Sequence, residues 1–290
     1  MTAKPITRRR FLTVCAAAGV YASMPLAHAF ATAPLHRWNG ILLGAQVSLT
    51  LAHPSKKTAY KIFETCVNEI KRLEDIFTLY DSHSELARLN KSGLLKNPSA
   101  DLINILQLAK HYNEITDGAF DISVKALEDG KTSELVGMEK IHVNKHEIRL
   151  ETPEMALTLN GIAQGYITDR VTELLKAEGL KNVLVELGEK RTIGTHPSGR
   201  PWTLALPDHE DIALLNDMAL ATSSSFSADN GKPHIIDPSN GRYITTAKTI
   251  SVVATTATMA DALSTAFLSM RSEDMARLQE TQPNILKIYS

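Results

Sequence analysis

Asp261 and Thr265 stand four positions apart in TATMADALSTAF, residues 256–267, a stretch otherwise built of small and apolar side chains. Positions i and i+4 share a helix face, so a carboxylate and a hydroxyl look the same way from among Ala, Leu and Phe. Two readings are open on this window. In one, Asp261 is an early-turn residue favoured by the helix dipole and Thr265 bonds back to a carbonyl. In the other, the two are hard oxygen ligands for Mg²⁺ and a phosphate.

Three more islands put polar residues where a plain core does not need them. DGAFDIS sets Asp117, Phe120 and Asp121 at the end of a helix, either as a capped glycine turn or as a place where an aromatic stacks on a flat ring. LNGIAQGYITD has Asn160, Gly161, Gln164 and Gly165 directly before a helix. Glycines there let backbone groups approach a ligand, and a helix N-terminus favours phosphate; an ordinary strand-to-helix turn has the same composition. TSSSFSADNGKPHIIDPSNGRY carries His234 and Asp237 in its middle, with a turn expected at Pro238 and Asn240-Gly241. An imidazole titrates near neutrality, so His234 is a candidate general base as well as a candidate structural residue.

Periodic segments must hold these islands in place. Apolar residues from Ala59 to Tyr80 recur at three- and four-residue steps, predicting an amphipathic helix over about 56–80. Ser99 caps a second helix running to about Ile115, and a polar loop at DSHSELARLN opens into a short one. GYITDRVTELLKAEGL reads as a helix and feeds the apolar strand NVLVEL. Residues 41–51, EIRLE, ALTLN, WTLAL, MALAT and TISVVATT read as strands, the last leading into the helix of Asp261. Helices and strands mix without regular βαβ alternation, so the fold class is α+β.

The first residues read as an address. Thr7-Arg8-Arg9-Arg10-Phe11-Leu12 fits a twin-arginine signal, an apolar stretch runs to about Leu26, and Ala27-His28-Ala29 offers a small-x-small cleavage site. The expectation is a signal peptide over 1–29, a single domain over 30–290, and a periplasmic location. No later segment is apolar enough to span a bilayer, so a soluble product is expected after cleavage. Cys15 leaves with the signal; Cys66, on the apolar face of the first helix, is expected to be a buried, inert thiol. A formal net charge of −1 and the lack of a basic stripe argue against nucleic acid as a partner.

Taken in order, RLEDIFTLYDSHSELARLN, DGAFDISV, NGIAQGYITDRVTELLKAEGLKNVLVELG, ATSSS, HIIDPSNG and ADALSTA resemble the ApbE-type FAD:protein FMN transferases, from about Trp38 to near Met270. The resemblance implies mixed helices and antiparallel-rich sheets in two intimate subdomains with the FAD site between them. It implies cleavage of the FAD pyrophosphate, attachment of FMN through a phosphodiester to a Thr or Ser hydroxyl of an acceptor flavoprotein, and release of AMP. By the same resemblance Asp261, Thr265 and the carbonyl of Gly161 hold Mg²⁺. Leu43, Tyr80, Ala119, Phe120, Asp121, Gln164 and His234 contact FAD, while His234 and Asp237 lie near the pyrophosphate as the catalytic pair.

Three positions depart from the family pattern. Gln164 stands where Lys or Glu is common, Leu187-Gly188-Glu189 replaces a Gly-Gly pair, and Leu43-Gly44-Ala45 replaces Met-Gly-Thr. Together they suggest a distinct branch, resembling exported members tied to respiratory flavoproteins such as the nitrous-oxide reduction machinery. Two other functions fit the same residues: a Mg²⁺-dependent FAD pyrophosphatase using water as acceptor, and a non-catalytic FAD-binding maturation factor. No Ser/Thr-Gly-Ala-Thr acceptor segment occurs in the chain, so self-flavinylation is not expected.

Overall fold

The computed structural model describes residues 33–290 apart from 209 and 229. The twin-arginine signal, its cleavage site and Cys15 lie outside the described residues. Residues 32–290 form one compact unit.

The described residues open with an antiparallel hairpin, β1 (Leu35–Leu42) and β2 (Ala45–Ala52), where a single strand over 41–51 was expected. Leu43 and Gly44 form the two-residue turn, both at positive φ (55° and 72°), as a primed turn requires. Leucine is a poor residue for that conformation, which is why the turn was hidden in the sequence. Helix α1 (Lys56–Phe77) follows, capped by Ser55 and burying the predicted stripe, including Cys66. It stops at Phe77, short of Tyr80, because Thr78 is already extended. Burial pushes the Cys66 thiol up to about 12, so it stays protonated and inert.

Ser84 and Ser99 accept the capping bonds of α2 (Glu85–Ser92) and α3 (Ala100–Ile115). A three-stranded antiparallel sheet of β3 (Leu94–Lys96), β4 (Ile141–Val143) and β5 (Glu147–Leu150) packs nearby, and a short α4 (Lys125–Glu128) lies between. ALTLN is not a strand. Its backbone groups are satisfied singly: Asn90 bonds both the amide and the carbonyl of Leu157, and the amide of Thr158 donates to Ile122. The segment is extended and buried without a ladder partner.

Helix α5 (Ala163–Ala177) leads to β6 (Val183–Leu187) and β7 (Glu189–Ile193), then to a separate hairpin, β8 (Trp202–Ala205) with β9 (Ile212–Leu215). After these come β10 (Ala219–Ser224), the small pair β11 (Ile236–Asp237) and β12 (Arg242–Tyr243), and β13 (Thr249–Ala254). The chain ends with α6 (Ala257–Phe267), α7 (Ser272–Thr281) and β14 (Ile285–Tyr289).

Among the described residues, seven strands make the main sheet in the order β1-β2-β6-β7-β10-β13-β14, and every neighbouring pair is antiparallel. Side chains alternate across it, as the two-residue strand period demands. Val183, Val185, Ala221 and Val252 join the large core under α5 and α6, while Leu184, Leu220 and Val253 join a second cluster under the β8–β9 hairpin, around Trp202. The large core also takes in Leu95, Ile141 and Ile148 of the three-stranded sheet. Mixed helices and antiparallel sheets, packed on a large core and a smaller cluster, give the α+β fold that the sequence predicted.

Candidate functional site

Helices α5 and α6 pack on each other as well as on the sheet. Their approach is set by Gly165, where a Cβ would meet the Ala257 carbonyl oxygen at 2.4 Å and the Asp261 Cβ at 2.8 Å. Only a residue without a side chain lets the helices come this close. A buried ionic knot fixes the start of α6. The Asp169 carboxylate, on α5, accepts bonds from the amides of Ala257 and Thr258 (both 2.8 Å) and from the Thr258 hydroxyl (2.6 Å). Arg191, on β7, pairs with the same carboxylate. Helix, helix and strand are thereby tied at one point, with a carboxylate at the positive end of α6.

From that anchor α6 delivers Asp261 and Thr265. Asp261 lies beyond the first turn and is 4% exposed; its Oδ2 accepts the Gly165 amide at 2.9 Å. The Thr265 hydroxyl meets the Ser223 hydroxyl at 3.2 Å, and Ser223 also meets Ser264 at 2.7 Å. Asp261 is thus no first-turn dipole residue, and the hydroxyl of Thr265 faces a side chain of β10. Gly161 is drawn against Thr265, since a Cβ there would stand 3.0 Å from the Thr265 oxygen. Burial, and then the neighbouring Glu189, hold the Asp261 carboxyl well above the usual carboxylate range. The other charge acting on it, Asp169, has the same sign.

A cavity of about 390 Å³ opens here, a size suited to part of a cofactor-like ligand. Its lining includes eight of the eleven residues that the resemblance assigned to the site: Ala119, Phe120, Asp121, Gly161, Gln164, His234, Asp261 and Thr265. Phe120 is buried, edge-on to Tyr112, with its amide and carbonyl held by Thr116 and Asn113. Asp121 caps the turn that follows through Ser123, and burial raises its carboxyl. His234 lines the cavity as an exposed residue, its amide bonded to the Ser225 carbonyl at 3.2 Å. Partial burial lowers its imidazole pKa, which favours the neutral, proton-accepting form near pH 7.

Three expected residues do not line this cavity. Tyr80 is 95% exposed, because α1 ends before it. Leu43 sits at the hairpin turn and packs on the core. Asp237 lines a neighbouring cavity of about 870 Å³, and its carboxylate organises the turn after Pro238 by accepting from Ser239 and Asn240. The two cavities share Ala119, Asp121, Pro238 and Ser269. In turn, Asp169 and Arg191 were missed as parts of the site, because each reads in sequence as an ordinary helix or strand residue, and Ser223, inside the ATSSS motif, was given no role of its own. Glu189 was visible only as a departure. It lines the cavity and is 7% exposed.

Among the described residues, no three His, Cys, Asp or Glu side chains converge as a metal site. The donors at hand are instead a carboxylate, a hydroxyl and a backbone carbonyl. They are hard oxygens of the kind Mg²⁺ accepts, and the buried, like-charged carboxyls need a counter-charge.

Comparison with known proteins agrees with this architecture. The ApbE family model matches residues 43–289. A FAD:protein FMN transferase of Haemophilus influenzae is 31% identical over 273 residues, covering 80% of this chain and 78% of that protein. One from Vibrio cholerae is 27% identical, covering 82% and 86%. Among solved structures, the flavin transferase ApbE of Vibrio cholerae has a TM-score of 0.76 at 22% identity, covering 89% of this chain and 97% of that one. The apo flavinyl transferase ApbE of Pseudomonas stutzeri has a TM-score of 0.75 at 23% identity, covering 86% and 88%.

Proposed function

The chain belongs to the ApbE family, and from that premise we propose that it is a Mg²⁺-dependent FAD:protein FMN transferase. It attaches FMN from FAD to a Thr or Ser hydroxyl of an acceptor flavoprotein and releases AMP. The observation that carries this reading is the convergence in one cavity of Asp261, Thr265 and Gly161 with Phe120 and His234.

Asp261, Thr265 and the Gly161 carbonyl would hold the cation. When bound, Mg²⁺ stabilises the charge that builds on a pyrophosphate under attack. Phe120 offers an aromatic surface to the flavin ring, and Gln164 a neutral polar contact. The acceptor hydroxyl oxygen bonds to the FMN-side phosphorus as the bond from that phosphorus to the bridging oxygen breaks, and the bridging oxygen leaves with AMP. The hydroxyl proton passes to the neutral imidazole of His234, which makes a poor nucleophile competent at neutral pH. Export by the twin-arginine leader sets the reaction in the periplasm, on an exported or inner-membrane electron-transfer protein.

The test incubates the chain with FAD, Mg²⁺ and an exported flavoprotein bearing a candidate acceptor threonine, then reads flavin fluorescence in a denaturing gel. Label that survives denaturation, and is lost with EDTA or in Asp261→Ala, is the expected result. AMP release without labelled acceptor makes the enzyme a pyrophosphatase. FAD binding without AMP makes it a maturation factor.

A further inference from the structure

Glu189 opens β7 directly after the Gly188 turn, with its side chain at the cavity wall. Among the described residues, six buried side-chain atoms lack a hydrogen-bond partner, and Glu189 Oε2 is the one that belongs to a residue lining the cavity. A carboxylate 7% exposed with an unpartnered oxygen is costly to keep. Its position makes the cost larger, because it acts on the buried Asp261 carboxyl, a like charge in the same cavity. The buried arginine of this region, Arg191, is committed to Asp169; the Glu189 carboxyl feels Lys190, next in the strand, and the backbone of Thr222, which leave Oε2 without a partner. The Glu189 backbone is fixed by its pairing with Leu187, and the space behind Gly188 is filled by the Gln164 side chain, 2.8 Å from where a Cβ would stand. Two acids are therefore held together by the fold, and a divalent cation is the ligand that satisfies both.

We propose that Glu189 is a direct ligand of the divalent cation, forming with Asp261 a dicarboxylate site that holds the metal before FAD binds. The inference rests on the reading that Asp261 and Thr265 bind the cation. A second carboxylate raises affinity by adding a full charge, and it makes the metal a resident of the free protein rather than a passenger on the dinucleotide.

The test titrates Mn²⁺ into the metal-free, FAD-free chain and follows loss of the free-ion EPR signal. The wild-type chain is expected to bind Mn²⁺ in the micromolar range. Glu189→Gln is expected to weaken binding by about ten-fold or more, and Glu189→Asp to recover part of the loss. Thermal unfolding of each variant without metal confirms that the fold is kept. Unchanged Mn²⁺ affinity in Glu189→Gln overturns the inference, as does a wild-type chain that binds Mn²⁺ only in the presence of FAD. The gel assay separates this from the function: flavin transfer with Mn²⁺ affinity indifferent to Glu189 keeps the transferase and discards the ligand. Glu189-dependent Mn²⁺ binding in a chain that labels no acceptor supports the ligand and discards the transferase.

Discussion

Thr265 brings one oxygen to the site, and that oxygen is already aimed by Ser223 at 3.2 Å. Thr265→Val keeps the volume and removes the oxygen. Folding should change by only about 1 kcal/mol, the worth of one hydrogen bond, while transfer should fall by about a hundred-fold if a metal ligand is lost. Urea midpoints beside AMP-release rates check the split; a normal rate sinks the metal assignment. Glu189 makes a different demand. Burial pushes its carboxyl from 4.5 up to about 7, so the folded chain holds the proton more tightly than the unfolded chain. Stability from this group is present below about pH 4.5 and is lost as pH rises through about 7. Metal-free protein should therefore weaken as pH rises through that window, with the neighbouring Asp261 carboxyl, raised by the same burial, contributing in the same direction, and Glu189→Gln should make the profile shallower; chemical denaturation at a series of pH values tests it. The pair on α6 was legible in sequence because helical spacing alone puts positions four apart on one face. Glu189 was not, because a glutamate in EKRTI looks the same whether its strand face meets water or a cavity.

At the scale of elements, the contact that matters is α5 against α6. Gly165→Ala sets a methyl 2.4 Å from the Ala257 carbonyl, a backbone atom that cannot swing aside. The helices must part, at a cost of about 1–3 kcal/mol, and Asp261 moves with α6. Lower thermal stability together with lower transfer is the expected result; wild-type values for both would mean that the crossing does not position the site. Other elements show where local pattern suffices. The stripe of α1 and the serine caps of α2 and α3 were readable because they depend on neighbours within a few residues. ALTLN had the composition of a strand, yet its partners are Asn90 and Ile122, remote in sequence. The β1–β2 hairpin was hidden by a leucine at positive φ, and β7, β9 and β14 are short strands whose partners define them.

At the largest scale, residues 32–290 form one compact unit and should unfold in a single transition. Ligand that binds only the folded state raises that transition. FAD with Mg²⁺, without acceptor and at a hundred times its dissociation constant, should add about 2.7 kcal/mol, or roughly 5–10 °C for a chain of this size. Differential scanning calorimetry with and without EDTA measures it, and a shift indifferent to EDTA would separate FAD binding from the metal. What the sequence by itself determined is whatever rests on local order: the α+β class, most helices, the motif series that identifies the family, and the pairing of Asp261 with Thr265. The resemblance expected Gly161, Phe120 and His234 beside that pair; only the tertiary structure put Tyr80 and Asp237 outside the cavity and Glu189 in its wall with Asp261. Local order follows from side-chain period and capping within a few residues. Burial and charge proximity arise only when an antiparallel sheet brings strands distant in sequence into register, so no window of the chain contains them.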